Sequence, residues 1–351
     1  MIDLRSDTVT QPCEDMRAYM AKAPVGDDAY GEDKSVNLLQ DYCKDLFGKE
    51  NALFVTSGMM ANRLAFLTQT SPGDEVVTEA SYHVNFFDSA PMAAFTGVVM
   101  NPCRTGDGIL RTSDVEKAVF SKQRYDYFAQ TKLISIENSI NGRVGKIFPF
   151  EEMKSLYEFS QKQKISLHLD GARLFNSHVI TNIPLKTYAS YTDTISVCFS
   201  KGLGAPYGSM LMGTNESIQR AKKFRLWLGG GVHQTGMLAA GAYYAITHNL
   251  ERLKEDHQLA VYFSKKLKDI EEIQLNGEGI ETNMVQFSLK TCQLKADIFM
   301  EKCAQRGLHF FPWLPNVIRA VVHRHINQEA LDEATEIIKS VLSENQQRKV
   351  L

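Results

Sequence analysis

Between residues 36 and 250 the chain alternates short apolar runs with longer stretches whose apolar positions recur at helical spacing. The runs ALFVT (52–56), EVVT (75–78), GVVM (97–100), KLISIEN (132–138), ISLHLD (165–170), TISVCFS (194–200) and SMLMG (209–213) predict strands. The intervening pattern predicts helices over 36–48, 59–70, 149–163, 215–228 and 235–253. Such alternation is that of strands joined by crossover helices, so the expected fold class is α/β with a mostly parallel central sheet. Several of the runs are apolar on both faces, as strands must be when helices cover a sheet from both sides. Function is then expected at the strands' carboxyl ends.

Beyond the charged segment near Asp256 the pattern changes. It predicts a helix over 257–272, a strand at NMVQFSL (283–289), a helix over 294–306, strands near His309 and Arg319, and a last helix from Gln328. We expect a large unit over 1–252, with an N-terminal arm at 1–15, and a smaller α+β unit over 253–351.

The totals narrow the class of partner. Across 351 residues, 39 basic and 41 acidic side chains leave a formal charge of −2, which gives neither nucleic-acid phosphates nor an anionic membrane a claim on the chain. A small molecule is the expected partner. Charges at Asp3, Arg5 and Asp7 interrupt any secretory core, and no apolar run approaches about 18 residues, so a cytoplasmic location is expected. Six cysteines at 13, 43, 103, 198, 292 and 303 lack CxxC spacing and suit reduced thiols. His323 and His325 share a strand face but have no third ligand in view, so no metal is expected.

The candidate chemistry starts at CFSKGLGAP, where Lys201 follows a buried strand and enters a glycine turn. Desolvated there, its amine would lose affinity for a proton and become a nucleophile toward carbonyls. A lysine snorkelling out of a β-to-α turn is the commonplace alternative, and the company it keeps decides. Asp170 ends another buried strand in SLHLDGAR, where an unpartnered carboxylate would be costly. It could pair with Arg173 or cap the next turn, or it could hold the ring nitrogen of pyridoxal 5'-phosphate (PLP) positive and so make the ring an electron sink. In VTSGMMAN a strand runs through Ser57 and Gly58 into a helix, presenting free N–H groups to a phosphate or simply a helix cap. His83 in SYHVNFFDS could stack on such a ring or move a proton. Arg173 and Arg319, with Ser6, could bind a substrate carboxylate.

Taken together, RSDTVT (5–10), GDDAYGED (26–33), LHLDGARLFN (167–176), SKGLGAPYGS (200–209) and GGGVHQTG (229–236) resemble the low-specificity L-threonine aldolases. These are β-eliminating lyases among the fold-type-I PLP enzymes. The resemblance covers nearly the whole chain in the family's motif order. It implies Lys201 as the lysine that carries PLP, Asp170 as partner of the pyridine nitrogen, and Ser57, Gly58 and Met59 in the phosphate cup. It also implies His83 as ring partner and candidate base, and Ser6, Arg173 and Arg319 as carboxylate ligands. The implied activity is retro-aldol cleavage of a β-hydroxy-α-amino acid to glycine and an aldehyde. The implied assembly is a homotetramer, a dimer of dimers, in which the small-residue stretch TGMLAAGAYYA could pack between copies.

Departures from the family pattern bear on the substrate. Met59 stands where the family has a Thr hydroxyl, and Tyr127, placed by the resemblance near the substrate hydroxyl, replaces a His. Ile140 replaces another His, Leu226 a Lys and His233 an Arg. Polar contacts around the phosphate and side-chain pocket are thereby exchanged for apolar ones. The rival expectations are β-elimination, racemisation or transamination on the same cofactor, and a non-catalytic protein of the same fold.

Overall fold

The computed structural model describes residues 1–121, 125, 127–290 and 294–347. The chain opens with a two-residue strand, β1 (Ile2–Asp3), set apart from the main sheet. The main sheet holds β2 (Asn51–Val55), β3 (Glu75–Glu79), β4 (Val99–Cys103), β5 (Thr131–Glu137), β6 (Ser166–Gly171), β7 (Thr194–Cys198) and β8 (Ser209–Gly213). Their spatial order is β2-β8-β7-β6-β5-β3-β4, with β8 antiparallel to both neighbours and every other pairing parallel. All residues of β3, β7 and β8 are buried, which accounts for their unbroken apolar character. β4 lies at an edge, is partly exposed, and tolerates Pro102 because an edge strand has a free side.

Where the boundaries differ from expectation, a local cause is visible. β4 starts two residues late because Gly97, at φ 70°, closes the preceding helix Ser89–Thr96. The helix expected over 235–253 ends at His248, and a new one, Leu253–Lys268, replaces that expected over 257–272. At the break, Asn249 Nδ2 donates to the Leu203 carbonyl at 2.7 Å and so holds the loop that follows Lys201.

A second sheet holds β9 (Ile273–Asn276), β10 (Met284–Leu289), β12 (Phe311–Leu314) and β13 (Val317–Val321), while the short β11 (Leu308–His309) pairs in parallel with β1. The four-stranded sheet is antiparallel in the order β12-β13-β10-β9. Ile2 and Leu4 are buried with Phe263, Phe287, Phe299 and Phe310 in the core of this second region, distinct from the core around the main sheet. The N-terminus is thus anchored on the C-terminal region, and the next residues run back to the main sheet. Among the described residues, no helix is long and apolar enough to cross a membrane.

At the end of β6, a Cβ on Gly171 would lie 2.5 Å from the Ser196 carbonyl oxygen of β7. Gly171→Ala is expected to force these strands apart and cost about 1–3 kcal/mol, read as a shifted urea midpoint.

Candidate active site

The carboxyl ends of β5, β6 and β7 bring Glu137, Asp170 and Lys201 into one electrostatic neighbourhood; Glu137 and Asp170 are direct register partners. Lys201 sits three residues past β7 in a loop tied by its own carbonyl, which accepts from Thr10 Oγ1 at 2.7 Å and Gly204 N–H at 2.8 Å. Gly204 adopts φ +80°, and the Arg324 side chain fills the space a Cβ would need. Lys201 forms no ion pair among the described residues. Burial first, and then the Arg173 cation, lower its ammonium pKa, favouring a nucleophilic amine.

Asp170 is held differently from the simplest expectation. Its Oδ2 accepts from Asn62 Nδ2 at 2.7 Å and its Oδ1 from the Ala172 N–H at 3.0 Å, so it does cap its own turn, but it makes no pair with Arg173. Asn62 is oriented in turn: its Oδ1 accepts from Ser196 Oγ at 2.8 Å and lies 3.1 Å from His168 Nε2. Burial pushes His168 down to about 4, so this supporting ring is neutral.

Arg173 is committed to Asp7, with Nε and Nη2 donating to its two carboxylate oxygens at 2.9 and 2.6 Å. Burial alone would raise the Asp7 carboxyl, but the Arg173 charge and hydrogen bonds outweigh it and hold the group well below the ordinary carboxylate range. Ser6 lies beside this pair, with Oγ 3.4 Å from Asp7 Oδ1. Arg319 reaches the same place from β13: its Nη1 and that of Arg173 donate to Asn141 Oδ1 at 3.0 and 3.2 Å. Unlike Arg173, Arg319 has no carboxylate partner among the described residues. Its guanidinium lies 4.6 Å from the Phe311 ring centre and 4.8 Å from that of Trp313. Burial, then repulsion from Arg173, bring its pKa down to about 10, leaving a desolvated cation at neutral pH. Of the two arginines expected to bind a carboxylate, Arg319 is the one without a carboxylate partner among the described residues; its Nη2 donates to the Arg5 carbonyl at 3.5 Å, and its buried Nε has no partner among them.

His83 begins the short helix His83–Phe86, and its N–H donates to Glu137 Oε2 at 2.5 Å; the Asn141 N–H donates to Glu137 Oε1 at 2.6 Å. Glu137 thus locks together the segment bearing His83 and the asparagine between the two arginines. Burial and the neighbouring Asp170 push the Glu137 carboxyl up to about 8. Burial lowers the His83 pKa, with Asp170 opposing, so its ring is a free base near neutral pH. Its Nδ1 lies 3.7 Å from Asp88 Oδ2, and its ring centre 5.0 Å from that of Phe87.

At the end of β2, Ser57 Oγ caps the helix Gly58–Gln69 by accepting from the Met60 N–H at 3.2 Å. The N–H groups of Gly58 and Met59 have no partner among the described residues, and the Met59 side chain is exposed. Buried Ser209 Oγ, also without a partner, lies 3.8 Å from where a Gly58 Cβ would be. These groups make an anion cradle.

Other expectations fall elsewhere. Tyr127 is not brought to the cluster: it is 79% exposed, precedes the amino end of β5, and stacks on Tyr125 at 5.7 Å. The site lies at the opposite end of that strand. Ile140 is fully buried, Leu226 is exposed, and exposed His233 lies 3.1 Å from Asp27 Oδ2. Within the chain, TGMLAAGAYYA packs closely on the first helix, where a Cβ on Gly241 would meet Met20 Sδ at 2.8 Å, while Met237 of the same stretch is exposed. His323 Nε2 donates to the Asp3 carbonyl at 2.7 Å, and His325 Nε2 accepts from the Gln11 N–H at 2.9 Å. Asp28, from GDDAYGED, forms a buried pair with Arg225 at 2.5 Å, and Asp33 caps the helix Lys34–Phe47.

A family model described as beta-eliminating lyase matches residues 3–290. The chain belongs to the beta-eliminating lyase family. Among curated relatives of this beta-eliminating lyase, the low specificity L-threonine aldolase of Escherichia coli K12 is 42% identical over 270 residues, 77% of this chain and 80% of that one. A solved structure of Leishmania major threonine aldolase superposes with a TM-score of 0.83 at 19% identity, over 97% of this chain and 99% of that one. A structure of SPT with PLP gives a TM-score of 0.76 at 15% identity, over 98% and 87%. At these identities the two structures speak for the fold, a fold-type-I α/β architecture.

Removing the charge from Asp7 leaves Arg173 buried and unpaired. Asp7→Asn is expected to cost about 3–5 kcal/mol by urea unfolding at pH 7. Because the folded carboxyl is depressed, its contribution is present above the unfolded value and lost only as pH falls through the lower folded value. The deficit should therefore be the same at pH 5 as at pH 7.

Proposed function

We propose that this chain is a PLP-dependent aldehyde-lyase that cleaves β-hydroxy-α-amino acids, L-threonine or L-allo-threonine, to glycine and acetaldehyde. The observation that carries the reading is a desolvated amine at Lys201, close enough to Asp170 and Arg173 to feel their charges, with Arg319, a buried cation lacking a carboxylate partner among the described residues, bonded to the same Asn141 as Arg173. The named activity of the E. coli relative supports it.

The residues present fit the cofactor. Lys201 would hold it covalently, Asp170 would face its ring nitrogen, and His83 would lie against the ring. The free N–H groups of Gly58 and Met59, with the unpartnered Ser209 Oγ and neighbouring Ser57, would take its phosphate. Bound there, PLP supplies the electron sink for bond breaking at the substrate Cα.

The chain's own groups do the rest. Arg319 draws the substrate carboxylate, with Ser6 and the Asp7-neutralised Arg173 beside it, and this anchor sets which bond at Cα is aligned to break. Asn141 fixes the spacing of the two guanidinium groups. His83 Nδ1 faces Asp88, which leaves Nε2 to take the hydroxyl proton. Glu137 holds the His83 backbone in place while this happens.

We also propose a cytoplasmic homotetramer, a dimer of dimers. Exposed Leu226, Trp227, Val232 and Met237 around the glycine-rich turn support contact with other copies. Tyr127, exposed on its own chain, would join a site only across such a contact.

Offered L-threonine or L-allo-threonine, the enzyme should release aldehyde and glycine in equal amounts; a 2-oxo acid with ammonia would indicate elimination or transamination instead. Lys201→Ala should abolish both this turnover and the borohydride-reducible cofactor adduct. His83→Asn should lower kcat/KM by about 10²–10⁴-fold. In the wild-type enzyme the acid limb of kcat/KM should lie below the ordinary imidazole value of 6.5, because burial holds His83 neutral.

A further inference from the structure

The Asp170 carboxylate is the near end of a longer row of buried side chains. On β6, His168 and Asp170 point to one face of the sheet, and their register partners on β7, Thr194 and Ser196, point the same way. Along the helix Gly58–Gln69, Asn62, Phe66 and Gln69 are spaced four and three residues apart, so they share one helix face, and all three meet these strands: Asn62 at Asp170, Phe66 edge-on to the His168 ring at 6.2 Å, and Gln69 at Thr194. Asn62, His168, Asp170, Thr194 and Ser196 are each at most 2% exposed, so bulk water does not complete their bonds.

The bonds along this row have one consistent order of donors and acceptors. Gln69 Nε2 lies 2.9 Å from the Ala65 carbonyl, which can only accept, and 2.7 Å from Thr194 Oγ1, so its two hydrogens go to those two oxygens. Thr194 Oγ1 accepts there, and its single hydrogen points on to His168 Nδ1 at 2.9 Å. The His168 ring is neutral; with Nδ1 accepting, its hydrogen is on Nε2, which donates to Asn62 Oδ1 at 3.1 Å. Ser196 Oγ donates to the same oxygen at 2.8 Å. Asn62 is thereby left to turn Nδ2 toward Asp170 Oδ2, at 2.7 Å. Reversing the whole order would make Asp170 the donor and set Gln69 Oε1 against the Ala65 carbonyl. The far end of the row, anchored on a backbone oxygen, thus dictates what the near end can do.

Resting on the reading above, we propose that Gln69, Thr194 and His168 are positioning residues that act through Asn62 to fix Asp170 as the acceptor required by the protonated ring nitrogen of PLP. Their influence is one of orientation: while the row keeps its order, the Asn62 amide does not present its oxygen to Asp170, and Asp170 is not asked to donate.

The test measures, by equilibrium dialysis against the full-length apoenzyme, the affinity for PLP and for its 1-deaza analogue, in which carbon replaces the ring nitrogen. Thr194→Val removes the hydroxyl at nearly constant shape; it should weaken PLP binding about tenfold or more while leaving the deaza analogue within about twofold of wild type. With PLP loaded, the same variant should lower kcat for L-threonine about tenfold with KM within about threefold, because the carboxylate anchor is untouched. Thr194→Ser, which keeps the hydroxyl, should restore both the affinity and kcat. Gln69→Glu, which places an acceptor where the row needs a donor, should act in the same direction as Thr194→Val. Losses of equal size for the two cofactors, as a packing defect would give, would overturn the proposal. Wild type that takes up no PLP would overturn the cofactor reading and the row's role with it; wild type that takes up PLP and is matched by Thr194→Val and Gln69→Glu would overturn the role of the row alone.

Discussion

The buried pair between Asp7 and Arg173 is the interaction on which the rest of the site depends. It joins a residue near the N-terminus to the turn after β6, and it does so with both carboxylate oxygens bonded and the groups almost wholly removed from water. A pair of this kind contributes little net stability compared with an apolar replacement, but it is costly to break from one side, so it fixes geometry. Arg173 held in this way presents Nη1 to Asn141; Asn141 then meets Arg319 from the second sheet and, through its N–H, Glu137. From Glu137 the chain of bonds reaches His83. One ion pair thus sets the separation of groups contributed by both regions of the molecule.

The charges gathered around it are kept in unequal states by their surroundings. Lys201 and His83 lose proton affinity through burial, whereas Glu137 gains it through burial and the proximity of Asp170. Glu137 rises first because it is buried and then because Asp170 stands beside it on the adjacent strand. Asp170 itself is fixed by Asn62 and the Ala172 N–H. The proposed cleavage asks for an amine, a base and an anion receptor held near one another.

Much of this was legible in the chain. All seven strands of the main sheet were readable because buried parallel strands are written as continuous apolar runs, and the ends of those runs located Lys201 and Asp170. Boundaries were less readable where a single tertiary contact decided them, as at Asn249, which leaves its helix to hold the Leu203 carbonyl. The supporting polar residues, Asn62, Glu137 and Asn141, were passed over because nothing local marks a side chain whose partner comes from a distant segment, as Asp170 does for Asn62, His83 for Glu137 and Arg319 for Asn141. Asn62 alone had a signal, lying one helical turn past Gly58 on the side facing the sheet. Tyr127 shows the opposite limit: a motif gave it a role, but its place before the amino end of β5 keeps it from the cluster within one chain.

The parallel pairing of β1 with β11 has a consequence for synthesis. Residues 2 and 3 are made long before the strand they add to, which contains residues 308 and 309. The segment carrying them therefore waits for its strand partner while the intervening residues are made, and the Ile2 and Leu4 side chains find their core only once β11 has emerged.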